Sequence, residues 1–161
     1  MNEEVKYISY EEAISVYAKM IDASDGGFDG VRDEGGIRAA LEFVQNDMYY
    51  PNFSDKLCSL VYKFCSGHYF NDGNKRIALT LGTYFLHKNS YFWQATIFMR
   101  QMESIVYHVA ASNIDKDLLL RIITCFMNGE DYDEELKIDI ANAMSRGELG
   151  VRGEDYDNEF E

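Results

Sequence analysis

The sequence predicts an all-α domain: a compact bundle of about six to seven helices with one short β-hairpin-like flap. Three observations predict it. Apolar residues recur at intervals of three and four along most of the chain, which puts them on one face of a helix. The 161 residues contain one proline, Pro51, where an average chain of this length carries about eight, so little interrupts a helical ladder. Alternation of apolar and polar residues, the mark of a half-buried strand, occurs only in short pieces near Tyr7 and over 91–93. With 47% hydrophobic and 14% aromatic residues, the chain has the material for a real core and is not a disordered sequence.

The elements follow in order. Ser9 and Glu12 form a capping box that opens a helix over 9–23, with Ala13, Val16, Tyr17, Met20 and Ile21 on one face. Asp25-Gly26-Gly27 ends it. A second helix, 33–45, buries Ile37, Ala40, Leu41 and Val44. The helical period is then lost over 46–53, beginning with Asn46, Asp47, Met48, Tyr49 and Tyr50. They precede a proline, which disfavours the α conformation before it, so this is the expected flap. Ser54 caps a third helix, 54–67, with Leu57, Leu60, Val61 and Phe64 inward, and a tight segment leads into a fourth over 74–88. Tyr91, Phe92 and Trp93 are expected to close the core before helices over 96–111 and 115–128. Met99, Met102 and Met127 read as gap fillers, and His87 and His108 as structural residues. A last helix, 131–145, carries Leu136, Ile140, Ala143 and Met144, and the chain is expected to fray from Gly147 onward.

Charge divides the chain. The formal net charge is −13, and residues 130–161 hold 12 acids against 3 bases. Two parts are therefore expected: a near-balanced body, 1–129, and an acidic extension, 130–161. The acidity argues against binding nucleic acid, whose affinity comes from massed Lys and Arg. It also argues against an anionic membrane surface. The acidic start, Met1-Asn2-Glu3-Glu4, is unlike a signal peptide, and no run of about 18 apolar residues exists. Cys58, Cys65 and Cys125 fit no metal spacing, and Cys58 and Cys65 sit about 10 Å apart along one helix. A cytoplasmic protein with reduced core thiols is the expectation.

The chemistry concentrates in His68-Tyr69-Phe70-Asn71-Asp72-Gly73-Asn74-Lys75-Arg76. This is a loop that turns into a helix N-terminus, with Gly73 permitting the tight backbone. The first amides of the helix, around Asn74, point outward and form an anion site. Lys75 and Arg76 add positive charge, although cations at a helix N-terminus oppose its dipole. That conflict points to a bound anion. Asp72 is a hard oxygen ligand suited to Mg²⁺, which is commonly held by a carboxylate and substrate phosphates. His68 is an imidazole, the side-chain type best suited to removing a hydroxyl proton near neutrality. Phe70 alternates away from these groups and anchors the loop. These are the parts of a phosphate-transfer site, where catalysis is mainly positioning and charge neutralisation.

The segment resembles the Fic/Doc family motif, H-x-F-x-[DE]-[GA]-N-[GK]-R, at seven specified positions: His68, Phe70, Asp72, Gly73, Asn74, Lys75 and Arg76. Upstream, Gly30-Val31-Arg32-Asp33-Glu34-Gly35-Gly36-Ile37 with Ala40-Leu41 and Gln45, and then Tyr50-Pro51, look like matching segments of death-on-curing (Doc) toxins. The resemblance implies the Fic/Doc fold, with His68 as base toward a target hydroxyl and Asp72 as the Mg²⁺ ligand. Gly73, Asn74, Lys75 and Arg76 would bind the phosphates of ATP. Residues Asn46 to Tyr50 would pin an extended target segment by strand-like pairing. Lys75 stands where adenylylating relatives carry Gly, and Leu79 where they carry a second Arg, so the resemblance is to the phosphate-transferring branch. It implies a target of the translation elongation factor class and an antitoxin partner. AMP transfer, or a non-catalytic module of this fold, are the alternatives. Tyr69 departs from a frequent Pro, Ile77 from a frequent Thr and Val44 from Pro. The self-inhibitory pattern of some relatives is absent, which favours inhibition by a separate protein.

Overall fold

The computed structural model describes residues 3–23 and 30–158. It contains α1 (Tyr10–Ala23), α2 (Glu34–Phe43), α3 (Phe53–Ser66), α4 (Asn74–Lys88), α5 (Phe92–Ala110), α6 (Lys116–Met127) and α7 (Glu134–Asn158). Among the described residues there is no strand, only an isolated antiparallel bridge between Val31 and Phe70. The all-α expectation holds. The break expected at Asp25-Gly26-Gly27 lies outside the described residues.

Local chemistry explains where the helices begin. The Ser9 hydroxyl accepts from the Glu12 amide at 3.1 Å, and the Glu12 carboxylate accepts from the Ser9 amide at 3.3 Å. This is the reciprocal capping box read from the sequence. Asp33, Asp115 and Asp133 cap α2, α6 and α7 by accepting from Gly36, Leu118 and Leu136. At α3 the cap is Asn52 rather than the expected Ser54. Its amide donates to Asp55 at 3.0 Å, so the helix begins one residue before Ser54.

The α3 and α4 pair forms the centre. Helix α4 packs on α3, α5 and α1; α3 also meets α6 and α2, and α7 lies against α6. Leu57, Leu60, Val61 and Phe64 of α3 and Ile77, Leu81, Phe85 and Leu86 of α4 are all buried. Close approach of α4 to α5 depends on Gly82, where a Cβ would lie 2.5 Å from the Phe98 ring. The free thiols Cys58 and Cys65 are buried in this core, and burial pushes them up to about 12 and about 11.

Two expectations change. Phe92 and Trp93 do not close the core: they are 57% and 71% exposed. The reason is that α5 starts at Phe92 rather than Thr96, and the helical turn rotates both outward. Tyr91 alone turns in, 4.5 Å from the Phe53 ring. Met99 is also largely exposed, whereas Met102 is buried. The last helix runs past Ser145 to Asn158. No proline stops it, and glycine lowers helix propensity without removing a donor. Gly147 permits close packing, since a Cβ there would meet the Asn113 side chain at 2.0 Å.

Two outcomes test this packing. Gly82→Ala is expected to cost about 1–3 kcal/mol through overpacking against Phe98, measured by urea unfolding. Glu12 accepts from Lys88 and Tyr84, which hold its carboxyl down to about 2 from 4.5. A lowered carboxyl stabilises the fold above its unfolded value, so this contribution is lost as pH falls from 4.5 toward 2. Glu12→Gln should flatten the loss of thermal stability across that window.

Candidate nucleotide site

The nine-residue segment joins α3 to α4. After the C-cap Gly67 the chain reverses at His68, whose φ of 52° is unusual for a residue with a Cβ. The next residues are held extended by a second segment. The Tyr69 carbonyl accepts from the Arg32 and Asp33 amides at 2.8 and 3.0 Å, and the Gly30 carbonyl accepts from Asn71 at 3.0 Å. The Gly-x-Arg-Asp stretch noted in the sequence is therefore the brace of the loop.

Phe70 lies inside, 1% exposed, stacked on Tyr17 with ring centroids 4.0 Å apart. The Tyr17 hydroxyl donates to the Asp72 carbonyl at 3.0 Å. Sequence reasoning placed Tyr17 on a core stripe and missed this bond, because nothing local couples residue 17 to residue 72. Tyr69, at the position of a frequent proline, fits a slot made by two glycines. A Cβ at Gly36 or Gly67 would come within 2.7 or 2.5 Å of its ring. The ring meets Phe64 edge-on at 5.3 Å.

The helix N-terminus is built as expected. Gly73 is the N-cap in the left-handed region, φ 79°, and its amide donates to Asp72 Oδ1 at 2.8 Å. The first intrahelical bond runs from the Ile77 amide to the Gly73 carbonyl at 2.8 Å. The Asn74, Lys75 and Arg76 amides precede it and have no intrahelical acceptor. The Asn74 side chain, expected among the phosphate binders, is engaged elsewhere. It accepts from the Phe70 amide at 3.2 Å and donates to the Phe70 carbonyl at 3.0 Å. What Asn74 offers an anion is its backbone N–H.

His68, Asp72, Lys75 and Arg76 are exposed on this surface. The Lys75 ammonium lies 5.5 Å from the Tyr107 ring centroid. Arg76 lines a cleft of about 540 Å³ with Met20, Leu79, Thr80, Met99, Arg100 and Glu103. No cluster of three or more His, Cys, Asp or Glu able to hold a metal occurs among the described residues. A divalent ion would rest on Asp72 and on the oxygens of a bound phosphate. The donor set fits such a hard cation, because one Asp72 oxygen serves Gly73 and a carboxylate accepts more than one partner.

The flap is a turn rather than a hairpin. The reason is Asn46, whose side-chain oxygen accepts from the Met48 and Tyr49 amides at 2.9 and 3.2 Å. Its carbonyl accepts from Tyr50 at 2.9 Å. Local side-chain bonding of this kind competes with extended structure, and it uses the amides that strand-like pairing would need. The Tyr49–Tyr50 pair splits: Tyr49 is 68% exposed and Tyr50 is buried. The turn folds along α3, where the Lys63 ammonium lies 4.3 Å from the Phe43 ring and 5.6 Å from the Tyr50 ring. Lys63 lies in the last turn of α3, and His68 follows two residues after the end of that helix. His87 is exposed against Phe92, and His108 pairs with Asn113 at 3.0 Å, so neither joins the site.

Asn74→Ala removes two bonds that close the loop on itself. The expected cost is about 2 kcal/mol, with faster amide exchange confined to residues 69–73. Unchanged exchange there would show that Phe70 burial alone sets the loop.

Comparison with known proteins shows the family. The Fic/DOC family pattern matches residues 7–86, which include the Gly30–Asp33 brace, the turn and the whole nine-residue segment. The chain is 33% identical over 96 residues to Toxin Doc of Mycolicibacterium smegmatis, covering 57% of this chain and 74% of that protein. It is 35% identical over 88 residues to Protein kinase doc of Escherichia phage P1, covering 53% of this chain and 69% of that protein. With the helical fold, the motif loop and these relatives in agreement, the chain belongs to the Fic/DOC family.

Proposed function

We propose that the chain is a Doc-type toxin that transfers the γ-phosphate of ATP to a hydroxyl side chain of a target protein. The observation that carries this reading is the α4 N-terminus. Amides without intrahelical acceptors, Lys75 and Arg76 converge there beside exposed His68 and Asp72. The phosphates would lie on the Gly73–Arg76 backbone, with Arg76 able to grip two oxygens at once. Mg²⁺ held by Asp72 would neutralise charge on the transferred group. His68 takes the target hydroxyl proton as the new O–P bond forms and the bond to ADP breaks. Exposed Met48 and Tyr49 of the turn would hold the target.

Lys75 in place of the Gly of adenylylating members supports phosphate rather than AMP transfer, as does the name Protein kinase doc borne by one relative. The target is proposed to be of the translation elongation factor class. A separate antitoxin is proposed to restrain the activity, in keeping with the relative named Toxin Doc. A cytoplasmic site of action follows from that target. No helix among the described residues is long and apolar enough to cross a membrane.

Incubating purified protein with MgATP and cell extract, then weighing the products, tests the reading. The expected result is one added phosphate on a Ser or Thr, with His68→Ala lowering the rate by about 10²–10⁴-fold and sparing ATP affinity. An added AMP would reassign the chain to adenylylation. ATP binding with no modification and no growth arrest on expression would make it a non-catalytic member.

A further inference from the structure

Lys56 is 2% exposed, a charged side chain within a run of core residues on α3. An ammonium taken from water is costly unless it is paired and hydrogen-bonded. Its partners all come from outside α3. It donates to the Val44 carbonyl at 3.1 Å and to Asp47 Oδ1 at 2.8 Å, and it lies 5.4 Å from the Tyr7 ring. Burial acts to lower its pKa, but the bonds to Asp47 and Tyr7 outweigh it and the net shift is upward, so the group is an ammonium. The Val44 carbonyl ends α2, where a cation also complements the helix dipole.

The pair is lopsided. Asp47 is 82% exposed and is satisfied by water without Lys56, whereas Lys56 has no access to water. The bond therefore holds the turn down rather than sustaining the carboxylate. Tyr50, at the far foot of the turn, is buried and its hydroxyl accepts from Lys116 at 3.4 Å. Between these feet Met48 and Tyr49 stand 93% and 68% exposed. An arch fixed at both ends and braced inside by Asn46 presents two apolar groups without paying to order them on binding.

We propose that Lys56 is a positioning residue for target docking: its ammonium straps residues 44–50 in the arch that presents Met48 and Tyr49 to the protein substrate. This rests on the turn being the docking element of the proposed transferase. Lys56 touches neither nucleotide nor target, so its loss should alter recognition and leave the phosphate site intact.

The test compares wild type, Lys56→Met and Lys56→Arg. Amide exchange is read with no ligand, and kinetics with MgATP and a purified translation elongation factor. In Lys56→Met, exchange over 46–50 should quicken about tenfold and KM for the factor rise about 5- to 20-fold, a modest loss of preorganisation. KM for ATP and kcat should stay within about twofold, the split expected of lost binding alone. Lys56→Arg should recover part of both effects. Unchanged exchange over 46–50, an unchanged KM for the factor, or a parallel fall in every kinetic constant would overturn the proposal. Should the wild type modify neither the factor nor any extract protein, the proposed function fails and exchange decides the strap: quickening confined to 46–50 sustains it, and none refutes it. Should Lys56→Met not fold, Asp47→Asn removes the charged end of the strap. It should shift exchange and KM in the same direction, and no shift would refute the proposal.

Discussion

The Phe70 ring, stacked on Tyr17 and shut off from solvent, fixes the backbone on both sides of it. A buried aromatic ring contributes on the order of 2–3 kcal/mol, enough to decide which way a short loop faces. With Phe70 inside, His68 and Asp72 turn outward. The bonds around it reinforce that choice. Residues 30–33 hold the Tyr69 carbonyl and the Asn71 amide, Asn74 closes on both polar groups of Phe70, and Tyr17 holds the Asp72 carbonyl. The exposed groups are thus positioned by a buried ring and by bonds to the loop backbone, and the left-handed φ at His68 is maintained by this surrounding structure.

The helices were legible because their causes are local. A Ser9–Glu12 box, Asp N-caps and apolar stripes can be read from neighbours in sequence, and α4 begins and ends where the pattern predicts. The family motif was legible for the same reason: it lies within nine consecutive residues. What escaped depends on distance or on competition. The Tyr17 bond spans 55 residues. The Asn74 side chain was read as a phosphate ligand because its alternative partner, the Phe70 backbone, comes into reach only once the loop has closed. The turn was read as a hairpin from Tyr49, Tyr50 and Pro51, but Asn46 offered the same amides a nearer acceptor. The start of α5 slipped by one helical turn because aromatic residues serve a core and a surface equally well in sequence.

The negative charge is concentrated in one part of the sequence. Most of the net charge of −13 belongs to residues 130–161, whose helix packs on α6. The α4 N-terminus carries no acid in its first turn and has Lys75 and Arg76 instead. Placing two cations where the dipole is already positive costs stability, by about 0.3–1 kcal/mol for each exposed charge. An isolated helix would gain by exchanging them for acids, as α1 and α7 do with Glu11, Glu12, Glu134 and Glu135 in their first turns. The conflict disappears once a multiply charged anion occupies the amides, because the dipole and both side chains then act on it in the same sense. The electrostatic cost at this helix end and its attraction for an anion therefore have one source. Strengthening the helix by reversing Lys75 or Arg76 would remove the attraction that the loop, the brace and the buried ring are arranged to present.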